Sequence, residues 1–245
     1  MLQLFVVFER IIQIMDEKFV NPGKNPSVEV DGISYRRLCI KTHVITNDDN
    51  IVDVCEKYAK PLAQAGDTLV ISEKAVACTQ GRAIPLTDIK PRKLAVFLSK
   101  HVTKTPVGIG LGMPETMEMA LRECGTPRIL FAAFVSVIGK LFGKSGWFYI
   151  VAGDRARSID GPCHYTLPPY NKYVVLGPEK PEKVAEAISA KIGINVAIID
   201  ANDLGCVILG SSKNALSDDI LCRILKDNPL GQTNEQTPMG IIRTE

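Results

Sequence analysis

Asp200, Asn202 and Asp203 follow the apolar run 196–199 and precede Gly205. The run reads as a strand buried on both faces. Carboxylates beside a core are costly unless something pairs with them, and a strand end is where an α/β protein usually places groups that touch a ligand. The same residue types also make a plain turn between two strands for backbone reasons alone, and taken by itself the cluster favours that turn. A second cluster, Lys74 and then Gln80-Gly81-Arg82, follows an apolar strand run. It offers cations and backbone N–H groups at one spot, the usual chemistry for holding an anion such as phosphate. A solvated loop with surface charges is the bland counterpart. The third is Asp160-Gly161-Pro162-Cys163-His164, where an aspartate leads a rigid turn. Adjacent residues in one turn rarely converge as ligands, so Asp160, Cys163 and His164 make a poor metal site by themselves.

Other patterns carry less. Gly108, Gly110 and Gly112 precede Pro114 in the manner of a phosphate-binding helix start, but the spacing is not that of a dinucleotide fingerprint and no strong strand comes before. The segment 139–145 resembles a P-loop with three residues between its glycines where four are needed, and it follows a helical run where a P-loop follows a strand. Histidines stand only at 43, 101 and 164, and no catalytic dyad can be built from their spacing.

The elements that must position these groups come next. A helix-spaced apolar pattern, Leu4, Val7, Phe8, Ile11, Ile12 and Met15, predicts an amphipathic helix, ended by the breaker 21–26, that docks on the core by default, a partner subunit or a membrane surface being the alternatives. Asp31-Gly32 predicts a hairpin within 28–35, followed by a strand over 38–45. Residues 47–50 cap a helix over 51–65, and Gly66-Asp67 turns into a strand over 68–71, a βαβ-like start. Helices are predicted over 91–100, from Pro114 to about 123, over 128–144, 182–192 and 218–225. In 128–144, Leu130, Phe134, Val137 and Leu141 suit a buried face. Strands are predicted over 147–151, 172–176 and 239–243. The pattern is that of an α/β or mixed α+β protein, with residues 1–26 as an N-terminal helix and linker and 27–245 as the main domain.

A net charge of +2 from 29 basic and 27 acidic residues argues against nucleic acid as the main partner. The seven cysteines are scattered with no C-x-x-C pair, which fits a reducing cytoplasm and no zinc ribbon. The apolar run 129–138 is well short of the ~20 residues that span a bilayer, and the N-terminus lacks a basic leader. The expectation is a cytoplasmic protein with no membrane partner.

Several segments, in order, resemble the coenzyme F-420-0:γ-glutamyl ligase family. They are Gly66-Asp67-Thr68-Leu69, then Glu73-Lys74 through Gln80-Gly81-Arg82, then Ser158-Ile159-Asp160-Gly161-Pro162-Cys163, then Leu176-Gly177-Pro178 to Pro181, then Asn202-Asp203-Leu204-Gly205-Cys206, and last the loop from Gly231-Gln232 to Arg243. The similarity runs from about residue 38 to 243, and departures fall at 73, 78, 80, 163 and 206. The resemblance implies the family's mixed fold, a homodimer, and amide ligation dependent on GTP. An acceptor carboxylate takes the γ-phosphoryl group, and the amine of an amino acid such as L-glutamate then displaces phosphate. It implies Mn²⁺ or Mg²⁺ on Asp160 with Asp200 or Asp203, Asp203 being preferred because it adjoins the matched Gly205. Nucleotide contacts would fall to Lys74, Gln80, Gly81, Arg82, Cys163, Gly205 and Gln232, with Cys163 standing where the family has an asparagine. The alternative it leaves is a nucleotide- and metal-binding protein that keeps the fold without the ligation.

Overall fold

A computed structural model of the chain describes residues 19–102, 110–144, 146–203 and 205–245. The N-terminal helix expected within residues 1–15 lies outside these, as does Gly108 of the glycine-rich approach. The chain begins with β1 (Ser27–Val30), β2 (Ile33–Ile40), α1 (Ile51–Tyr58), β3 (Thr68–Ser72) and α2 (Glu73–Thr79). It continues through β4 (Ala83–Pro85), α3 (Lys93–Ser99), α4 (Pro114–Glu123), α5 (Thr126–Leu141), α6 (Trp147–Ala152), α7 (Asp154–Arg157) and β5 (Tyr173–Val175). It closes with α8 (Pro181–Ile192), β6 (Asn195–Asn202), β7 (Gly205–Ser211), α9 (Asp218–Ile224) and β8 (Met239–Thr244). Two compact units result, one from residues up to 80 and from 178 onward, the other from 81–177.

The first unit is built on a mixed sheet of order β1-β2-β8-β3-β6-β7, in which β3 and β6 run parallel and every other pair is antiparallel. Its central strands carry unbroken apolar runs, 69–71 in β3 and 196–199 in β6, for a geometric reason. Alternate residues point to opposite faces, and here both faces are covered. Leu69, Ile71, Val196, Ile198, Met239 and Ile241 pack with α1, α2 and α8. Val70, Ala197, Ile199 and Ile242 pack on the other side with Leu221 and Ile224 of α9. The predicted hairpin is present, with Val30 opposite Ile33 and both turn residues at positive φ, 53° for Asp31 and 76° for Gly32. The start is not a βαβ unit, because β8 lies between β2 and β3. The strand expected over 38–45 is instead the end of one strand, Ile33–Ile40. Asn50 caps α1 by accepting from the Val52 N–H, and the helix ends at Tyr58, before Pro61 removes a donor and clashes with the preceding turn.

The second unit gathers α3 to α7 and the two-stranded β4–β5 around Leu111, Met117, Ala120, Ile129, Ala132 and Val174. Pro114 opens α4 at its first turn as expected. Two expectations fail here. Residues 147–151 form helix rather than strand, since a short apolar run does not distinguish the two. Packing decides it: the Trp147 ring lies against Gly139 of α5, where an added Cβ would stand 3.0 Å from the indole. The face of α5 is also reversed. Ile129, Ala132 and Gly139 are buried, whereas Leu130, Phe134, Val137 and Leu141 are exposed.

Candidate functional site

In the first unit the acidic cluster sits on the β6–β7 hairpin. β6 runs on past the apolar core, so Asp200 is not at a strand end. It lies inside the ladder opposite Val207, and Asn202 pairs with Gly205, which leaves Asp203 at the turn. Asp203 accepts from Gln232 Nε2 at 2.7 Å and from Asn228 Nδ2 at 3.3 Å. Two predicted site residues 29 positions apart, Asp203 and Gln232, are therefore in direct contact. Asn228, which the sequence reading passed over, is 1% exposed, and its Oδ1 has no partner. Next to Gly205, burial first and then the Cys222 thiol and the charges of Asp200 and Asp218 push the Cys206 thiol far above its usual range.

The loop bearing Gln232 is held from beneath. Buried Asn21 donates through Nδ2 to Pro229 O at 2.9 Å, Leu230 O at 3.0 Å and Thr237 Oγ1 at 2.8 Å. Glu235 accepts from the Thr233 N–H and hydroxyl, each at 2.8 Å. Gln236 Nε2 donates to Thr42 O at 2.7 Å, and the Thr42 N–H returns a bond to Gln236 O at 3.1 Å. This last pair ties the loop to a cluster absent from the sequence reading. His43 Nδ1 lies 2.9 Å from the Tyr58 hydroxyl, and His43 Nε2 lies 2.9 Å from Asp49 Oδ1. The Thr46 N–H, with His43 behind it, holds Asp49 below the usual carboxylate range. The available signal was local: His43 and Asp49 flank the turn that caps α1, and Tyr58 closes the same helix.

The 73–82 segment differs from the loop or exposed anion cradle expected of it. Residues Glu73–Thr79 form α2, with Ala75, Val76, Ala77 and Cys78 buried and Lys74 exposed. Alternation of small apolar residues on a short helix hides this from a strand-and-loop reading. Gln80 clamps the main chain of Glu179, donating to its carbonyl at 3.0 Å and accepting from its N–H at 2.7 Å. In the second unit, Gly81 leads into Arg82, whose guanidinium donates to Gly177 O at 2.5 Å and to Glu123 Oε1 at 2.6 Å. Asp160 exchanges main-chain bonds with Val175, its N–H donating at 2.8 Å and its carbonyl accepting at 2.9 Å. Cys163 is a half-buried free thiol whose carbonyl accepts from the Thr166 N–H at 3.1 Å.

Among the described residues, no three His, Cys, Asp or Glu side chains gather closely enough to hold a metal ion unaided. That count still suits Mg²⁺ or Mn²⁺, which take one or two carboxylates and complete their shell with phosphate and water. The donors near Asp203 are oxygens of the right kind, its own carboxylate and the orphaned amide oxygen of Asn228, so the donor chemistry fits a hard cation.

Residues 39–216 match the family described as F420-0:Gamma-glutamyl ligase. The chain belongs to this family. The match takes in every predicted site residue of the chain except Gln232. No curated protein matches the chain. Membership of the F420-0:gamma-glutamyl ligase family accounts for the mixed architecture and directs the chemistry to ligation.

Proposed function

We propose that the chain is a GTP- and divalent-metal-dependent amide ligase joining an amino acid such as L-glutamate to a small carboxylate acceptor. The family match over 39–216 is the observation that carries this reading. The acceptor carboxylate takes the γ-phosphoryl group to give an acyl-phosphate, and the amine then displaces phosphate. Such a reaction gathers negative charge, so catalysis rests on positioning and neutralisation. Asp203 would hold Mn²⁺ or Mg²⁺ together with Asp200 of the same hairpin, and the bound cation would neutralise phosphate oxygens. The chain's own contribution is orientation. The Gln232 and Asn228 amides donate to the two Asp203 oxygens, fixing the carboxylate as outer residues fix metal ligands. Lys74, exposed on α2, supplies a cation for phosphate. Gly205 leaves open space at the hairpin turn, where, chain neighbours aside, no atom of the described residues lies within 4 Å of a Cβ position.

The test is release of GDP and phosphate that requires the amino acid, a carboxylate acceptor and Mn²⁺ together. Asp203→Asn is expected to reduce turnover by at least ~100-fold and Gln232→Ala by roughly 10–100-fold. Asp160→Ala examines the second unit's carboxylate on its own. Unchanged turnover in Asp203→Asn would remove the hairpin from the reaction. The presence of Cys163 where the family has an asparagine favours one rival, a nucleotide-binding protein without ligation. Tight GTP binding with no turnover across an amino-acid and acceptor screen would select that rival.

A further inference from the structure

Helix α5 is apolar on both sides. Its inner face buries Ile129, Ala132 and Gly139, and a helix that is apolar all round ordinarily has both faces covered. Here the outer face is open: Phe131 is 59% exposed, Phe134 60%, Val137 59%, Leu141 80% and Phe142 73%. An aromatic side chain offers roughly 150–250 Å², so the three phenylalanines alone present about 300–500 Å². With the aliphatic residues added, the patch exceeds what a monomer usually leaves open.

Charge says what covers it. From Cys124 to Gly153 the sequence holds no Asp or Glu, while Arg128, Lys140 and Lys144 lie within that span. Lys140 and Lys144 are exposed, and Lys144 Nζ sits 5.9 Å from the centroid of the Trp147 ring. The acids that bracket the segment are already paired, Glu123 with Arg82 and Arg155, and Asp154 with Arg157. A second copy of the same face would bring like charges together around an apolar centre, which is unfavourable. An anionic lipid surface complements both features, taking phenyl and leucyl side chains at the acyl boundary and lysines at the headgroups. No single helix among the described residues is long and apolar enough to cross a membrane, and α4 and α5 meet at a bend of 118°.

We propose that the outer face of α5, with Phe142 at its end, docks this protein on an anionic bilayer, lying in the interface without spanning it. This revises the expectation of a protein with no membrane partner, and it is independent of the ligase reading.

The experiment is co-sedimentation of the full chain with phosphatidylcholine vesicles, with and without phosphatidylglycerol, across a salt series. Each exposed lysine near an anionic surface is worth a factor of about five. Lys140 and Lys144 together predict a preference for anionic vesicles of roughly 25-fold that fades as salt rises. The variant Phe134→Gln/Leu141→Gln/Phe142→Gln alters only exposed positions and should lose partitioning while keeping its far-ultraviolet circular dichroism. The variant Lys140→Glu/Lys144→Glu leaves the apolar face intact and should lose the anionic preference. Wild-type protein that stays in the supernatant, or partitions equally in the triple variant, overturns the proposal. A dimer seen by light scattering without lipid, and abolished by the triple variant, would also overturn it by assigning the face to a second copy.

Discussion

Asp67→Ala and Arg243→Ala should not cost the same, although they remove two ends of one interaction. Asp67 is 1% exposed, and its carboxylate accepts from Arg243 Nε at 2.9 Å, Arg243 Nη2 at 2.7 Å and the Gln64 N–H at 2.7 Å. The same guanidinium donates to Leu62 O at 2.9 Å, so one side chain joins the loop after α1, the start of β3 and the end of β8. Removing one partner of a buried pair costs about 3–5 kcal/mol, because the other is left uncompensated. The Arg243 side chain is 21% exposed and can recover part of its hydration. Asp67→Ala should therefore fall at the low end, about 3 kcal/mol. Arg243→Ala leaves a buried carboxylate with only the Gln64 donor, and should cost about 4 kcal/mol at neutral pH. A double-mutant cycle should return a coupling of about 2 kcal/mol. Urea unfolding of the four proteins, with m-values compared, measures it. A coupling below about 0.5 kcal/mol, or an Arg243→Ala cost smaller than that of Asp67→Ala, would refute the reasoning.

Two further outcomes follow from close approaches and buried charge. A Cβ at Gly210 would lie 2.4 Å from the Glu182 nitrogen and 2.7 Å from the Pro181 carbonyl carbon, both main-chain atoms. Gly210→Ala should thus lower stability by about 2–3 kcal/mol, and an unchanged melting temperature would show that α8 moves freely off β7. Glu118 is 2% exposed and accepts from the Arg92 N–H and from Nε of Arg92 and Arg122. Burial alone would raise its pKa, but these donors outweigh it and hold it below the usual range. The unfolded chain then binds the proton more readily, so this contribution is present above about pH 4.3 and is lost as pH falls toward the lower folded value. Glu118→Gln should flatten the acid limb of stability against pH in denaturant midpoints. Superimposable slopes for the two proteins would remove Glu118 as the cause.

Much of this molecule is legible where local chemistry and tertiary context agree. Asp31-Gly32 specifies its hairpin because both turn residues need positive φ, and Asn50 specifies a helix start because its side chain satisfies an open N–H. Legibility fails where context decides. The run 147–151 is apolar throughout, so its helical state follows from tertiary context, in which the Trp147 ring packs against Gly139. In α5 the hydrophobic stripe is real, but periodicity does not say which of two apolar faces turns inward. On the β6–β7 hairpin, the motifs single out Asp203 and Gln232 without showing that they touch, and the contact from Asn228 is long-range and leaves no pattern. The His43, Asp49 and Tyr58 cluster leaves only a local hint, two residues flanking the turn before α1 and one closing the helix, and spacing alone does not reveal how that turn folds back.

The position of β8 has a consequence for how the molecule is made. This strand lies between β2 and β3 in the first unit, yet it is the last of the described strands to leave the ribosome. Until residues 239–244 emerge, β2 and β3 each lack a neighbour, and their open backbone groups invite pairing with other chains. Residues 81–177 form a continuous stretch and can complete their own core during synthesis. The first unit must instead wait for its second half, closing contacts across nearly the whole chain, which is slow by loop entropy. A chain lacking residues 239–244 should therefore carry one finished unit and one aggregation-prone sheet, so that these six residues govern folding yield out of proportion to their number.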